Sequence, residues 1–189
     1  LCISNRFKSC QKRQPVGKKY WGVFPHQVID RGHPLISGVS TRFDIPHSRF
    51  NEISESQFDK AGVKVLAKSS IGVHLAVSPD LFRIVFFQGH PEYDTISLLK
   101  EYKREVALYL EDRGLNYPLM PSNYLSIQNQ AILNEYRANI DSGTMSFKDF
   151  PESLISATLD NTWHDSANDI INKWIGCVYQ VTHEKVGKP

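Results

Sequence analysis

Cysteine is scarce in this sequence, with three residues in 189. Cys2, Cys10 and Cys177 fit neither a disulfide framework nor the paired spacing of a metal site, and this indicates a reducing, cytoplasmic setting without a bound metal. Long apolar runs are also missing, so we predict no membrane span and no signal peptide. The net charge of +2 argues against nucleic acid or a membrane surface as a partner.

The composition is that of an ordinary globular domain, with 41% hydrophobic and 22% charged residues. A chain of 189 residues has room for one domain with a sizeable core, so we expect a single domain over residues 1–189. Because the first residue is Leu1 rather than methionine, we expect the chain to begin partway through a protein.

Short apolar runs bounded by turn residues predict four strands, at residues 21–29, 63–67, 72–77 and 83–87. The last run is nearly all apolar, which suits a strand buried on both faces. Pro25 argues for an edge position or a break in the first strand. Residues 34–54 are predicted to be mostly loop.

Helical periodicity predicts three helices. The first begins with Asp94 as its N-cap and ends near Gly114 as its C-cap. The second covers residues 128–139, with Gly143 as a break, and the third covers residues 165–179. Strands followed by helices indicate an α/β domain, in which sites lie where loops leave the carboxyl ends of strands.

The loop that follows the most apolar strand contains His90 and Glu92, two residues apart. A carboxylate can hold an imidazole in one tautomer, and the imidazole can then activate a thiol. Gly89 and Pro91 predict a tight, rigid turn around the pair. The alternative from these residues alone is a surface loop whose Glu92 favours the start of the next helix.

Several segments, in order along residues 18–182, resemble the homoserine O-succinyltransferase family. Gly-His-Pro-Glu-Tyr-Asp at residues 89–94 is similar to a signature of that family, and further similar segments lie at residues 19–24, 46–50, 101–106, 161–167 and 173–180. Residues 1–17 match the family poorly. The resemblance implies a flavodoxin-like three-layer α/β domain of the class I glutamine amidotransferase superfamily, incomplete at its amino terminus.

In that family a cysteine attacks an acyl-CoA thioester, and the hydroxyl of homoserine then accepts the acyl group. The resemblance implies His90 as the general base and Glu92 as the carboxylate that orients it. It implies Cys2 as the nucleophile, although residues 3–10 lack the apolar helical face that follows the family cysteine. Cys10 is the other candidate, whereas Cys177 is expected to be a small buried hydrophobe.

Three further residues fall on positions that contact substrate in the family. Arg104 matches the arginine that binds the amino-acid substrate, and a guanidinium suits a carboxylate. Lys19 and Ser48 match a lysine and a serine that contact substrate. Without the resemblance, Arg104 would be a surface residue paired with Glu101, and the other two would be ordinary loop residues.

The resemblance implies transfer of a succinyl or acetyl group from its CoA thioester to L-homoserine, in the first committed step of methionine biosynthesis. Acyl-CoA is then a co-substrate, no cofactor is expected, and a homodimer is an assembly that the resemblance leaves open. Two alternatives remain open. One is a glutamine amidotransferase-like enzyme, and the other is a catalytically inactive fragment of the acyltransferase.

Overall fold

A computed structural model describes residues 12–112 and 116–186. The strands and helices follow one another in chain order as β1 (Gln14–Val28), β2 (Arg42–Glu52), α1 (Glu55–Lys60), β3 (Lys64–Ser69), β4 (Gly72–Val77), β5 (Val85–Phe87), α2 (Ser97–Glu111), α3 (Ile127–Asp141), a short 3-10 helix (Phe147–Asp149), α4 (Glu152–Ser156) and α5 (His164–Val186). They form two compact units. One contains the described residues up to Glu92 and from Thr162 onward, and the other contains Tyr93–Asn161.

The five strands form one sheet in the order β2-β1-β3-β4-β5. Each described pairing is antiparallel. The sheet curls so that its two edges meet. The backbone N–H of His90, which follows β5 at one edge, donates to the carbonyl of Pro46 in β2 at the other edge. The combination of this sheet with the helices confirms the α/β class. The sheet seen within residues 12–112 is antiparallel.

Strand β2 occupies a segment that was predicted to be loop, and that prediction is wrong. Phe43, Ile45 and His47 are buried at every second position, which is the period of a strand. Pro46 and the buried histidine obscured this alternation in the sequence. Proline is tolerated there because β2 lies at an edge of the sheet.

Strand β1 confirms the predicted strand at residues 21–29 and begins earlier, at Gln14. Pro25 pairs with Asp44 of β2, and the pairing of β1 with β3 starts only at Gln27. The described part of the sheet therefore gives Pro25 a strand neighbour on one side only, as its missing N–H requires.

Strand β5 is shorter and less buried than its apolar sequence predicted. It contains three residues at a sheet edge, and only Phe86 is buried while its two neighbours are half-buried. The expectation of a strand buried on both faces is wrong. Strands β3 and β4, in contrast, confirm two of the predicted strands, and they pair as a hairpin with Ser70 and Ile71 as its turn.

Helix α2 begins at Ser97, so the predicted N-cap at Asp94 is wrong. The Asp94 carbonyl instead accepts the N–H of Ser97 in the turn before the helix, and Ile96 is the N-cap. The predicted C-cap, Gly114, lies outside the described residues. Helix α3 confirms the second predicted helix, and Gly143 follows it with φ of 77°, a left-handed conformation that glycine adopts readily.

Helix α5 confirms the last predicted helix and extends it to Val186. Its apolar stripe is buried only in the first turns, where Ala167 and Ile170 are almost fully covered, as is Trp163 just before the helix. Farther along, Ile175 is exposed and Cys177 is half-buried, so the prediction of a buried cysteine is wrong. Within residues 12–112 and 116–186, every helix is too short or too polar to cross a lipid bilayer.

Two isoleucines of α5 allow a matched test of this packing. Ile170 is 1% exposed and Ile175 is 58% exposed, so the same substitution removes buried contacts at one site only. We expect Ile170→Ala to lower the free energy of unfolding by about 2–5 kcal/mol, and Ile175→Ala to change it by less than about 0.5 kcal/mol. Urea unfolding followed by tryptophan fluorescence measures both. Equal effects would contradict the described packing of α5.

Candidate active site

The loop after β5 is held by three consecutive backbone amides. The N–H of Gln88 donates to the His74 carbonyl at 2.9 Å, and the N–H of Gly89 donates to Nδ1 of the same histidine at 3.3 Å. The N–H of His90 then donates to the Pro46 carbonyl at 2.8 Å. The loop thereby takes its position from β4 on one side and from β2 on the other.

The side chain of Gln88 adds three hydrogen bonds to this attachment. Its Oε1 accepts the N–H of Ile53 at 2.6 Å, and its Nε2 donates to the carbonyls of Ile53 and Val73 at 2.9 and 2.8 Å. The amide therefore joins the segment after β2 to β4. Buried polar groups of the backbone are satisfied here by a side chain where strand pairing has ended.

Gly89 lies directly against β2. A Cβ atom at this position would lie 2.8 Å from Nε2 of His47 and would overlap the side chain of Ile45. The glycine is required by this close approach, since its φ is not in the left-handed region. Its small size lets the loop reach the strand, and the turn predicted around His90 takes its form from this contact.

His90 and Glu92 form the pair that the sequence predicted to lie together. Nδ1 of His90 donates to Oε1 of Glu92 at 2.8 Å. A carboxylate can only accept, so the neutral imidazole carries its proton on Nδ1 and its lone pair on Nε2. About a third of the His90 side chain is exposed. An imidazole in this tautomer can act as a general base through Nε2.

A cavity of about 610 Å³ adjoins this pair, and it is lined by Ser48 and Phe50 of β2 together with His90 and Glu92. Ser48 pairs with Trp21 of β1, and Nζ of Lys19 lies 3.9 Å from the centroid of the Trp21 ring. The structure therefore brings Ser48 to the same cavity as His90. It places Lys19 on the neighbouring strand, over the aromatic rings beside that cavity.

The remaining predicted site residues lie elsewhere in the chain. Arg104 is in α2, in the second compact unit, with 65% of its side chain exposed and Nη2 3.5 Å from Glu105. The expected alternative partner, Glu101, instead accepts a hydrogen bond from Tyr93. Cys2, the predicted nucleophile, and Cys10 lie outside the described residues. The catalytic and substrate-binding roles of the predicted site residues stay predictions.

Three buried histidines lie behind the loop, inside the curl of the sheet. They are His26, His47 and His74, each 1% exposed or less. The His26 and His47 rings stack with their centroids 5.0 Å apart, and the His74 ring lies 5.2 and 6.0 Å from them. Among the described residues, no group of three histidine, cysteine or acidic side chains is placed to bind a metal ion.

A directed chain of hydrogen bonds links two of these rings to Arg49 and to the backbone. Nε of Arg49 donates to Nδ1 of His47 at 3.2 Å, Nε2 of His47 donates to Nε2 of His26 at 3.2 Å, and Nδ1 of His26 donates to the Phe24 carbonyl at 2.8 Å. Burial lowers the pKa of His26 to about 4 and the pKa of His47 much further. Both rings are therefore uncharged near neutral pH.

Comparison with known proteins identifies the family of this chain. The sequence model of one family, homoserine O-succinyltransferase, matches residues 5–184. The chain belongs to the homoserine O-succinyltransferase family. Proteins named homoserine O-succinyltransferase from Nitrosococcus oceani and Allochromatium vinosum are 56% and 54% identical to it, over 187 and 183 residues. These matches cover 97% and 94% of this chain and 52% and 51% of the relatives, so the chain spans about half the length of the curated relatives it matches.

Family membership confirms the resemblance noted in the sequence. The contacts that His74 and Gln88 make with the loop were not predicted. His74 lies in a strand whose other members are apolar or glycine, and Gln88 directly follows an apolar strand. A polar side chain in such a place has to find a hydrogen-bond partner when it is buried. That signal was present in the sequence, but only the fold identifies the partners.

Two glycines test whether the close approach at Gly89 is needed. We expect Gly89→Ala to lower the free energy of unfolding by about 1–3 kcal/mol, because the new methyl group overlaps the side chain of Ile45. Gly176→Ala in α5 is the control, since nothing lies within 4 Å of the new Cβ and alanine favours a helix. It should raise stability by about 0.5–1 kcal/mol. Urea unfolding measures both, and a neutral or stabilising Gly89→Ala would contradict the described contact.

The buried histidines predict a stability that depends on pH. The pKa of His26 is about 4 in the folded state and about 6.5 in the unfolded state, so the folded state binds fewer protons between these values. The free energy of unfolding should therefore fall as the pH drops from about 6.5 toward about 4. His26→Gln keeps a hydrogen-bonding side chain that does not titrate, and it should reduce this slope by roughly 1 kcal/mol per pH unit.

Urea unfolding between pH 7.5 and 4.5 measures this slope. Leu75→Ala is the control, because it removes buried apolar contacts and should lower stability by a similar amount at every pH. A His26→Gln curve parallel to that of the unaltered chain would contradict the neutral state of His26.

Proposed function

We propose that the protein to which this chain belongs transfers a succinyl group from succinyl-CoA to the hydroxyl of L-homoserine, the first committed step of methionine biosynthesis. The observation that carries the proposal is the 2.8 Å hydrogen bond between His90 and Glu92 in a chain of this family. The name of the relatives, homoserine O-succinyltransferase, states the acyl group and the acceptor, and it favours succinyl over acetyl as the group transferred.

The reaction proceeds through a cysteine acyl-enzyme. Nε2 of His90 takes the proton of the cysteine thiol, for which Cys2 is the predicted residue. The thiolate attacks the carbonyl carbon of succinyl-CoA, and the carbon–sulfur bond to CoA breaks as the new thioester forms. The CoA thiolate leaves with the proton held by the imidazole.

The second half of the reaction uses the same base. Nε2 of His90 takes the proton of the homoserine hydroxyl, whose oxygen attacks the thioester carbonyl and displaces the cysteine sulfur. The proton returns to that sulfur, so the enzyme is regenerated. Glu92 stabilises the imidazolium that forms in each half and keeps the proton on Nδ1 between them.

Three side chains are proposed to bind substrate. Arg104 pairs with the carboxylate of homoserine through its guanidinium, and Lys19 and Ser48 contact the substrate from β1 and β2. The support for Ser48 is that it lines the same cavity as His90. Lys19 is supported by its place over the Trp21 and Phe50 rings, because Phe50 also lines that cavity.

The remaining features follow from the same proposal. The protein acts in the cytoplasm and uses acyl-CoA as a co-substrate, without a cofactor. The reaction needs neither nucleic acid nor a membrane. A homodimer is compatible with this function. Its complete α/β domain is flavodoxin-like, as in the class I glutamine amidotransferase superfamily. The antiparallel sheet of residues 14–87 would then be one part of a larger sheet.

A chimeric enzyme tests the reaction directly. Residues 5–184 of this chain replace the matching half of the Nitrosococcus oceani relative, which is 56% identical here. We expect the chimera to release CoA thiol from succinyl-CoA continuously only when L-homoserine is present, and without homoserine to stop after the single release that forms the acyl-enzyme. His90→Ala should lower kcat by about 10²–10⁴-fold, because proton transfer to and from a positioned base contributes about that much.

His164→Ala is the matched control, since this histidine is exposed on α5 and is assigned no role in the reaction. Glu92→Gln should lower kcat less than His90→Ala. The amide oxygen of glutamine can still accept a hydrogen bond from Nδ1 of His90, but it carries no charge to stabilise the imidazolium. A folded chimera that turns over equally well with alanine at position 90 would contradict the assignment. The same assay on the 189-residue chain alone decides whether this segment is sufficient or is an inactive part of the enzyme.

A further inference from the structure

We propose that His74 and Gln88 are positioning residues, which hold the loop after β5 so that His90 keeps its ring directed at Glu92. This inference rests on the proposed function only for the importance of His90. The contacts themselves are independent of it. Neither residue touches the reacting atoms in the proposed mechanism, so each acts through the backbone of the loop.

His74 holds the loop at two successive residues. Its carbonyl accepts the N–H of Gln88, and its ring nitrogen Nδ1 accepts the N–H of Gly89. The first bond continues the ladder between β4 and β5. It uses only the backbone carbonyl, so any residue at position 74 could make it. The second bond depends on the imidazole, and it comes one residue before His90.

The tautomer of His74 explains why an imidazole occupies this place. Because Nδ1 accepts a hydrogen bond, the neutral ring carries its proton on Nε2. That atom is buried and has no hydrogen-bond partner among the described residues. A buried donor without a partner destabilises a fold, and a leucine of similar size would remove the problem. The Gly89 bond is the compensating contact that the structure offers.

The surroundings of His74 keep it neutral, as an acceptor at Nδ1 requires. The rings of His26, His47, Phe43 and Phe87 pack around it, with centroids 5.2–6.1 Å away. Burial lowers its pKa well below the ordinary value, and the nearby charge of Arg49 and the neighbouring histidines act in the same direction. A protonated ring would donate at Nδ1 and would lose the Gly89 bond.

Gln88 fixes the same loop from its side chain. Its amide satisfies both backbone groups of Ile53 and the carbonyl of Val73, so the residue cannot rotate without breaking three hydrogen bonds. His90 follows two residues later and is itself bound to Pro46 through its N–H. The backbone is thus held at three consecutive residues, Gln88, Gly89 and His90 itself.

The consequence for His90 is a restricted ring. A side chain whose backbone is fixed has few rotamers that reach Glu92, and the observed one places Nδ1 2.8 Å from the carboxylate. When the loop loosens, that bond competes with water and the ring samples both neutral tautomers. Positioning by His74 and Gln88 therefore has a direct spectroscopic signature in His90.

The test compares three variants of the 189-residue chain by ¹⁵N NMR of the histidine side chains at pH 8. His74→Leu removes the acceptor, and His74→Asn restores one, because the asparagine Oδ1 lies near the place of Nδ1. His33→Leu is the matched control: His33 is also buried and also accepts a backbone N–H at Nδ1, from Leu35 at 3.3 Å, away from the loop.

We expect the His90 resonances of the unaltered chain to be those of the Nδ1-protonated tautomer. In His74→Leu they should move toward the average of the two tautomers, and the amide of Gly89 should exchange with solvent at least about tenfold faster. His74→Asn and His33→Leu should keep the resonances of the unaltered chain. Unchanged His90 resonances in a folded His74→Leu chain would overturn the proposal.

Gln88→Met supplies a second, independent variant of similar size without hydrogen-bonding groups, and it should shift the His90 resonances in the same direction. In the chimeric enzyme, His74→Leu and Gln88→Met should each lower kcat by about ten- to a hundredfold with little change in KM, because a misplaced base costs rate rather than binding. Loss of kcat with unchanged His90 resonances would assign a merely structural role. An inactive chimera with the expected resonances would refute the proposed function and leave the positioning intact.

Discussion

The contact between Gly89 and strand β2 is the constraint on which the rest of the candidate site depends. A side chain at position 89 would occupy the space of Ile45 and His47, so only glycine lets the loop reach the strand. At that distance the N–H of His90 meets the carbonyl of Pro46, and the two edges of the sheet are joined. The edge strand thereby becomes a wall of the cavity beside the imidazole.

The curled sheet encloses polar rings where an apolar core would be expected. Burying imidazoles is tolerable only when they are neutral and hydrogen-bonded. Burial keeps the His47 and His26 rings neutral, and the chain from Arg49 through these rings to a backbone carbonyl supplies their hydrogen bonds. Its direction is set at the guanidinium, which can only donate. Arg49, which lies in the segment at residues 46–50 that resembles the family, is thus part of the interior that supports the site.

Local patterns predicted the elements whose contacts form between residues close together in the sequence. The β3–β4 hairpin, helix α3 and the start of α5 follow from alternation or helical periodicity within a single segment. The pairing of His90 with Glu92 is local in the same way, because a tight turn brings residues two apart into contact. Strand β2 was missed because Pro46 and a buried histidine interrupt its apolar alternation, and what makes it a strand is the partner strand β1.

The sequence by itself determined the family, the α/β class and the residues that carry the proposed chemistry, since these depend on residue identity and order along the chain. Only the tertiary structure decided what holds the loop in place. The acceptors for its amides come from His74 and Pro46, and Gln88 binds Ile53, so each contact joins residues at least 14 positions apart in the sequence. Hydrogen bonds over such separations follow from how strands pair and curl, which no local pattern specifies.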